Sequence, residues 1–549
     1  MSTTYDVFVC DKNGSVSLVE GSVSSAQPVL EVHDRTTLAV EPTKAGTLRL
    51  IADQVSRWSV VDERGGAWFP RGYVNRYDSD GRPIFHGNNL TVDVPVGEVS
   101  IEVNRGCEYE AAKTTIRVKR KTETVVELSP RRIYAPAVYG WYGGDLHVHM
   151  NYSGDSVCTP EMASLMQQGE GLHLMNLVAA NWSTSLIYDE AMLESFSGRD
   201  LPWSDGNCLA RCGVEYRNDI LGHFHALNPA APPKQYQSGH PRSNHPDDWP
   251  PNASAAQELR DLGATIGYTH PVLVPLDENC SPSTVFAHSR SHSYEARELV
   301  ADAALGLVDS MDLGGPCHID STEFLYHRLL GCGLSLAATA GTDVFLSHRR
   351  MRWYSNPPGW TRAYAYLGGC ELTVENWQDA IRKGRTIVTN GPWLELTVDG
   401  KIPGDRVNFM QSRIIEVTAR TIGSGVEEIN ILGPDGTISV EQVGSECTNA
   451  QHTISLKVEG ASWVAASARG GIEETPFGSQ TRTYAHTSPV WLDWKKRKVS
   501  RPSDAKWCLD WLDRTENLIN TKGTFSTSEH LQDVLKVLND AKNFYERIR

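Results

Sequence analysis

The chain has 549 residues and lacks several features that would assign it to a class at once. It contains no run of about eighteen apolar residues, so no transmembrane helix is expected. Its start, Met1 to Glu20, has no basic stretch followed by an apolar one, so no secretory signal is expected. The 11 cysteines are scattered, odd in number and without C-x-x-C pairs. This usage argues against zinc ribbons and disulfide frameworks and predicts reduced thiols in a cytoplasmic protein.

Positive charge is also in short supply. There are 52 Lys and Arg residues against 67 Asp and Glu residues, which gives a formal net charge of −15. A uniformly acidic chain is a poor partner for nucleic acid or an anionic membrane surface, so neither is expected. The expected partner is instead a small-molecule substrate. A homo-oligomer formed through the C-terminal helices is a further expectation.

The composition is that of a globular protein with several domains. Apolar residues make up 40% and charged residues 22% of the chain. Alternating runs such as Thr47–Ile51 and Val99–Val103 predict an N-terminal β-sandwich over residues 1–132. Similar runs such as Ile414–Ala419 predict a C-terminal β-sandwich over 396–492. Residues 493–549 show helical apolar spacing and predict a helical tail.

Residues 138–395 have a different pattern, in which a helix, a glycine and an apolar strand follow one another. Such units begin near Thr159, Asn252 and Ser321, with Thr159 and Asn252 as N-caps and Pro160 at the first helical position of its unit. Their strands end at Asn181, His270 and Asp343. Repeated units of this kind predict a parallel β barrel or a doubly wound sheet. The β modules on either side are expected to serve packing and spacing.

The richest short motif is Gly144–Asn151, which contains His147 and His149. Side chains alternate along an extended strand, so these two histidines point the same way and can bind one cation. Neutral imidazole is the commonest protein metal ligand. Taken alone, the motif could equally be two exposed strand histidines.

Other polar residues stand where predicted strands end. Glu215, His270 and Asp343 do so, and barrel chemistry gathers at the C-terminal ends of different strands. Glu215 could bridge two metals through its two oxygens, and His223 alternates with His225. The remaining histidines are more often structural than ligating. This group contains His225, His240, His245, His288, His292 and His348.

Several motifs together resemble the metal motifs of the polymerase and histidinol phosphatase (PHP) superfamily. They are Gly144–Tyr152, Glu215–Arg217, Gly222–His223, Gly267–Pro271 and Ala340–Asp343. Gly384–Pro392 and Ala485–Pro489 resemble the CehA/McbA group of metallohydrolases, which is named for carbaryl hydrolase. The resemblance implies a distorted (β/α) barrel with a di- or trinuclear metal centre at the strand C-termini.

The resemblance also implies a ligand set. Carried over, one metal would be held by His147, His149 and Asp343, and a second by His223 and His270, with Glu215 bridging. Two motifs depart from the superfamily pattern. The acid after His-x-His is Asp155, preceded by Gly154, and Asp343 begins no Asp-x-His motif, with His348 five positions on. A mononuclear or dinuclear centre is therefore expected.

A nitrogen and oxygen ligand set without thiolate suits Zn²⁺ first, with Mn²⁺ or Fe²⁺ as alternatives. Such an ion lowers the pKa of a bound water towards about 7, which makes it a nucleophile at neutral pH. Arg217 or His348 could stabilise the developing charge, and Asp343 could move a proton.

We therefore predict a metal-dependent hydrolase that cleaves an ester, amide or carbamate bond of a small molecule. A phosphoesterase using the same centre is one alternative. A non-catalytic, metal-stabilised binding protein is another. Two long loops, residues 183–205 and 229–251, are expected to determine the substrate.

Overall fold

The computed structural model describes residues 3–10, 16–23, 45–181, 184–287, 295–444, 446–474 and 480–548. For residues 3–10, 16–23, 472–474 and 480–481 it describes the backbone alone. His288 and His292, and the first residue of the predicted loop at Ser183, lie outside the described residues.

The N-terminal part consists of strands, and its long strand β3 organises the main sheet. Strand β3 pairs with β5 and β6 in antiparallel fashion and with β9 in parallel, with an irregularity between Ile51 and Ser56. Alternate residues such as Leu48, Leu50 and Val60 face a separate small core. The strands are β1 (Thr3–Cys10), β2 (Val16–Val23), β3 (Ala45–Asp62), β4 (Arg76–Tyr77), β5 (Pro83–Pro95), β6 (Gly97–Asn104), β7 (Tyr109–Glu110), β8 (Ala112–Val118), β9 (Glu123–Glu127) and β10 (Arg131–Arg132).

The central part alternates strands and helices around the largest core. Its helices are α1 (Pro160–Gly169), α2 (Glu190–Phe196), α3 (Asn252–Asp261), α4 (Leu299–Ala304), α5 (Ile319–Gly331) and α6 (Val374–Arg382). Its strands are β11 (Trp141–His149), β12 (Leu174–Asn181), β13 (Ile187–Tyr188), β14 (Leu209–Asn218), β15 (Gly222–Leu227), β16 (Gln237–Ser238), β17 (Thr265–Tyr268), β18 (Ser310–Gly314), β19 (Ala337–Ala340), β20 (Val344–Phe345), β21 (Arg362–Tyr366) and β22 (Thr386–Thr389).

The central strands form a mixed sheet, and a closed barrel is not shown. Strands β11, β12 and β14 pair in parallel, as do β17, β18 and β19. Strand β15 is antiparallel to both β14 and β17, and β21 is antiparallel to β11. Only three residues, 219–221, join β14 to β15. A connection of this length is too short for the crossover that two parallel strands need. The chain therefore turns back at this point.

The C-terminal strands form two sheets over a shared core. Sheet β23-β25-β28 packs on strands that include β26 and β29, through residues such as Leu396, Val417, Ile431 and Ala466. The strands are β23 (Trp393–Val398), β24 (Arg406–Phe409), β25 (Arg413–Ile422), β26 (Glu428–Gly433), β27 (Gly436–Gln442), β28 (Asn449–Val458), β29 (Ser462–Glu474), β30 (Gln480–Thr487) and β31 (Val490–Trp494). Strand β30 also pairs with β22, so a ladder crosses the expected boundary near 395 and the four-domain division stays a prediction.

Two long helices end the chain, α7 (Pro502–Lys522) and α8 (Ser528–Glu546). The Trp511 Nε1–H donates to the Arg297 carbonyl at 2.8 Å, and the Tyr545 hydroxyl donates to the Val300 carbonyl at 2.7 Å. Leu538 belongs to the large central core. The apolar stripe that suggested a homo-oligomer is therefore packed against the chain's own central part. The chain is multidomain and mostly sheet, and the predicted C-terminal helices are present.

Local helix signals are explained by capping. The Thr159 side chain accepts a hydrogen bond from the Met162 N–H, and Pro160 occupies the first turn, as predicted for α1. The predicted N-cap Asn252 instead lies inside α3, where its side-chain amide donates to the Gly222 carbonyl and the Tyr268 hydroxyl. Tertiary contacts outweigh its capping propensity.

Among the described helices, none combines the length and the apolar character that crossing a membrane requires. The ten cysteines whose side chains are described are free thiols. A cytoplasmic location stays a prediction.

Candidate metal centre

The two histidines of the His-x-His motif lie together at the end of β11. Their Nε2 atoms are 3.1 Å apart, and both side chains are buried. The Asp343 Oδ1 atom lies 3.2 Å from His149 Nε2 and 3.6 Å from His147 Nε2. These three side chains form one group whose ligand atoms could hold a metal ion.

Glu215, on β14, faces several of the histidines. Its Oε1 atom is 3.7 Å from His147 Nε2 and 3.9 Å from His270 Nε2, whereas Oε2 is 3.5 Å from His149 Nε2. His147, Glu215 and His270 form a second group of suitable geometry. His223 Nδ1 lies 2.9 Å from Glu215 Oε1. The structure thus brings together all six residues that were considered as ligands, with Glu215 in the middle.

Two of these residues have an uncommon backbone conformation. His270 has φ of +34° and Asp343 has φ of +54°, in the left-handed region that side chains with a Cβ avoid. Such strain costs on the order of 1–3 kcal/mol and clusters at functional sites. His270 lies two residues after β17, and Asp343 lies between β19 and β20, so both strained residues stand beside strand ends at the cluster.

The electrostatics of the cluster favour a cation. Burial alone would keep the His147 ring neutral, but the nearby Asp343 and Glu215 carboxylates outweigh burial and raise the pKa of His147 to about 9. In return, His147 helps hold the pKa of Glu215 well below its usual range despite burial. Imidazole nitrogens and carboxylates around one point are the donor set expected for a divalent metal. The residues present therefore fit a metal ion.

Neighbouring groups fix the orientation of the histidines. The Thr269 hydroxyl lies 2.8 Å from His147 Nδ1, the ring nitrogen that faces away from the cluster. The buried Asp145 carboxylate accepts from the Thr342 hydroxyl at 2.6 Å and from the Gly359 N–H at 2.8 Å. Partners of this kind set the ring orientation of ligating histidines.

Arg217, predicted to stabilise charge, lies beside the cluster. Its guanidinium donates to the Tyr152 hydroxyl and to the Asn181 carbonyl, the latter at 2.7 Å. The Tyr152 ring packs on the His149 ring with centroids 4.3 Å apart. Arg217 thus contacts a residue that supports His149.

His348 and Asp155 are farther from the ligand atoms. The His348 ring packs on Phe345 at 5.3 Å, and Phe345 packs on His149 at 5.0 Å, so one aromatic ring separates the two histidines. Asp155 accepts from the Arg349 N–H at 2.9 Å. Neither belongs to the groups that could hold a metal.

Sequence reasoning missed Asp312, which is the middle residue of β18. Its Oδ1 lies 3.5 Å from His225 Nε2 and accepts from the Thr339 hydroxyl at 2.7 Å. Its negative charge also helps raise the pKa of His147. The clue available in the sequence was a single acidic residue within a predicted strand. His240 and His245 instead lie in a turn held by its own hydrogen bonds.

Comparisons with known proteins give limited likeness. No family model matches the sequence, and no curated protein matches it. A crystal structure of the lesion-specific endonuclease Q from Pyrococcus furiosus is similar, with 14% identity, 44% of this chain and 56% of that chain covered, and a TM-score of 0.27. A second structure, endonuclease Q in complex with a 27-mer duplex substrate carrying an abasic lesion, has 15% identity, the same coverage and the same TM-score. The similar region spans about half of this chain and about half of each endonuclease Q chain.

The second comparison corrects one expectation. Nucleic acid was excluded as a partner in favour of a small molecule, yet one of the similar structures is endonuclease Q in complex with a duplex substrate. The exclusion rested on net charge, which is a sum over the whole chain and does not describe a local surface. The His/Asp/Glu groups fit a metal-dependent hydrolase, and the substrate class stays open.

Proposed function

We propose that this chain is a metal-dependent hydrolase of the PHP type with a dinuclear centre. The observation that carries the proposal is the convergence of His147, His149, Glu215, His270 and Asp343 in two overlapping groups of ligand geometry. These residues come from four different strand ends. A site assembled in this way is typical of catalytic rather than structural metals, which tend to have closed cages of four ligands.

In the proposed centre, His147, His149 and Asp343 would hold one ion, and Glu215 and His270 would hold the second, with His223 beside Glu215. When bound, such ions supply a water molecule of lowered pKa and polarise the substrate oxygen under attack. The Thr269 hydroxyl holds the His147 ring in place. The Asp343 side chain is 11% exposed, against 4% for Glu215, so Asp343 is the carboxylate placed to accept a proton from the solvent side.

For the bond that is cleaved, we propose an ester, amide or carbamate. The resemblance of Gly384–Pro392 and Ala485–Pro489 to the CehA/McbA group supports carbonyl chemistry. The departure at Val344 and Phe345 from the Asp-x-His motif supports two metals rather than three. Zn²⁺ is the proposed ion. A phosphoester is the second candidate, because a dinuclear centre also suits phosphoryl transfer.

The first experiment is elemental analysis of the purified chain beside the variant His147→Ala/His149→Ala. The parent is expected to contain about two equivalents of Zn, Mn or Fe more than the variant, because this centre holds two ions. The matched control is His452→Ala, a histidine of the C-terminal sheet whose Nε2 lies 2.8 Å from the Ser439 hydroxyl. A metal-free parent that gains no thermal stability from any added divalent ion would overturn the proposal.

The second experiment compares substrate classes on the metal-loaded chain. Nitrophenyl esters and carbamates are expected to be hydrolysed, and the His147→Ala/His149→Ala variant is expected to be inactive. Nitrophenyl phosphates, a bis-nitrophenyl phosphate and a duplex oligonucleotide form the other arm. Turnover confined to that arm would replace carbonyl chemistry with phosphoryl chemistry at the same centre.

A further inference from the structure

A second cluster of histidine and glutamate side chains lies outside the candidate metal centre. It consists of Glu323 and His327 on α5 and His486 on β30. One ligand atom from each lies within 4.8 Å of the others, and all three residues are buried. The cluster lies where the central part of the chain meets the C-terminal sheet.

The spacing within the cluster matches that of a metal site. Glu323 and His327 are four residues apart on one helix, so their side chains share a face. The Nε2 atoms of His327 and His486 are 3.2 Å apart, close to the 3.1 Å between His147 and His149. Two tetrahedral ligands at zinc–nitrogen distances of about 2.0–2.1 Å lie roughly 3.4 Å apart.

The glutamate is oriented by further hydrogen bonds. Its Oε2 atom accepts from the Tyr484 hydroxyl at 2.9 Å and from Arg469 Nη2 at 2.8 Å. The other guanidinium nitrogen of Arg469 donates to Asp320 Oδ1 at 2.6 Å. Carboxylates that ligate metals are typically held in this manner by outer hydrogen bonds.

The protonation states of these three side chains also suit the binding of a cation. Burial lowers the pKa of His327 to about 3 and lowers that of His486, so both rings are neutral at pH 7 and carry a lone pair. Burial alone would raise the pKa of Glu323, but its interactions with His486 and Arg469 outweigh burial and lower the pKa to about 2. The cluster therefore offers two neutral imidazoles and one carboxylate, a ligand set used for zinc.

We propose that Glu323, His327 and His486 form a further zinc site with three protein ligands. The site joins helix α5 of the central part to strand β30 of the C-terminal sheet. All three residues are buried between these two parts, so a bound ion would link one part to the other. This inference is independent of the proposed hydrolase activity.

The test is a zinc count on the full chain beside the variants His327→Gln and His486→Gln. Each variant is expected to contain one equivalent less than the parent after loading with Zn²⁺ alone, and to keep the metal at His147 and His149. Chelator is expected to lower the melting temperature of the parent more than that of either variant. The control His452→Gln is expected to match the parent in both measurements. Folded variants with the parent's zinc count would overturn the proposal.

Crystals of the zinc-loaded parent give an answer even if the variants do not fold. An anomalous difference peak at the zinc edge is expected about 2.0–2.1 Å from the Nε2 atoms of both His327 and His486. A peak at the His147 centre alone would overturn this inference and leave the proposed hydrolase standing. A peak at the His486 cluster alone would support this inference and would contradict the proposed hydrolase centre.

Discussion

At the scale of single residues, the candidate centre is packed so tightly that small side chains nearby matter. A Cβ added at Gly341 would lie 2.4 Å from the His147 Cβ and 3.0 Å from Asp312 Oδ2. The glycine therefore provides the space in which the His147 ring sits. It belongs to the Ala340–Asp343 motif, so its role there is steric.

The variant Gly341→Ala is expected to displace His147 and to reduce bound metal. Overpacking of a buried site costs about 1–3 kcal/mol in the free energy of unfolding. Metal content and urea denaturation measure the two effects. Gly369→Ala is the control, since a Cβ there would meet nothing within 4 Å. Normal metal content in Gly341→Ala would show that the His147 ring tolerates displacement.

The hydroxyl of Thr269 is expected to tune metal affinity through His147. Removing a partner that orients a ligating histidine typically costs about 10–100-fold in metal affinity. The variant Thr269→Val keeps the shape and loses the hydrogen bond, so its zinc affinity in a competitive chelator titration is expected to fall by that factor.

A matched control lies at the start of β17, the strand that Thr269 follows. Thr265 is buried, and its hydroxyl has no hydrogen-bond partner among the described residues. Thr265→Val is therefore expected to bind zinc like the parent. Equal zinc affinities in Thr269→Val and Thr265→Val would mean that Thr269 does not affect metal binding through the His147 ring.

At the scale of elements, buried carboxyls hold the start of helix α3 beside the site. The Glu298 carboxyl accepts from the Asn252 and Ala253 N–H groups, both at 3.0 Å. The neighbouring Asp302 accepts from the Tyr268 hydroxyl at 2.7 Å. Tyr268 directly precedes Thr269 and His270, so this network supports the strand end that carries them.

These carboxyls are expected to make stability depend on pH. Burial raises the pKa of Glu298 from 4.5 to about 7. Between these values the folded chain keeps a proton that the unfolded chain has lost. The free energy of unfolding therefore falls as pH rises through this window, by up to about 1.4 kcal/mol per pH unit.

Urea denaturation between pH 5 and 7 measures this slope. The variant Glu298→Gln is expected to flatten it, because the side chain no longer titrates. Glu375→Gln changes an exposed carboxyl in the first turn of α6 and is expected to leave the slope as in the parent. An unchanged slope in Glu298→Gln would assign the pH dependence to other groups.

At the scale of the whole molecule, one buried acid joins the N-terminal sheet to the central part. Glu170 follows α1, and its two oxygens each lie 2.9 Å from Arg57 Nη1 on β3. His86 Nε2 on β5 lies 2.8 Å from the same carboxylate. All three side chains are buried.

The variant Glu170→Gln is expected to leave the Arg57 charge buried without its counter-charge. Breaking a buried pair in this way costs about 3–5 kcal/mol, measured as a fall in the free energy of unfolding by urea denaturation. The exposed Glu161→Gln in the first turn of α1 is the control and is expected to behave like the parent. A loss no larger than that of Glu161→Gln would show that the N-terminal sheet is held by its apolar contacts.

The sequence by itself determined those features that depend on local geometry. Alternation along β11 predicts that His147 and His149 face the same side, and the structure has their nitrogens 3.1 Å apart. The expected strand-end positions predict that Glu215, His270 and Asp343 meet. The structure places Glu215 Oε1 3.9 Å from His270 Nε2, although antiparallel β15 lies between their strands. The start of α1 at Pro160 follows from its cap.

Only the tertiary structure decided which distant groups meet. The antiparallel return of β15, the packing of α7 and α8 on the central part, and the contact of His327 with His486 across 159 residues all depend on how elements pack. Residue periodicity fixes the direction of a side chain relative to its own element. The partner it faces depends on the burial of apolar surface over the whole chain, which no short motif encodes.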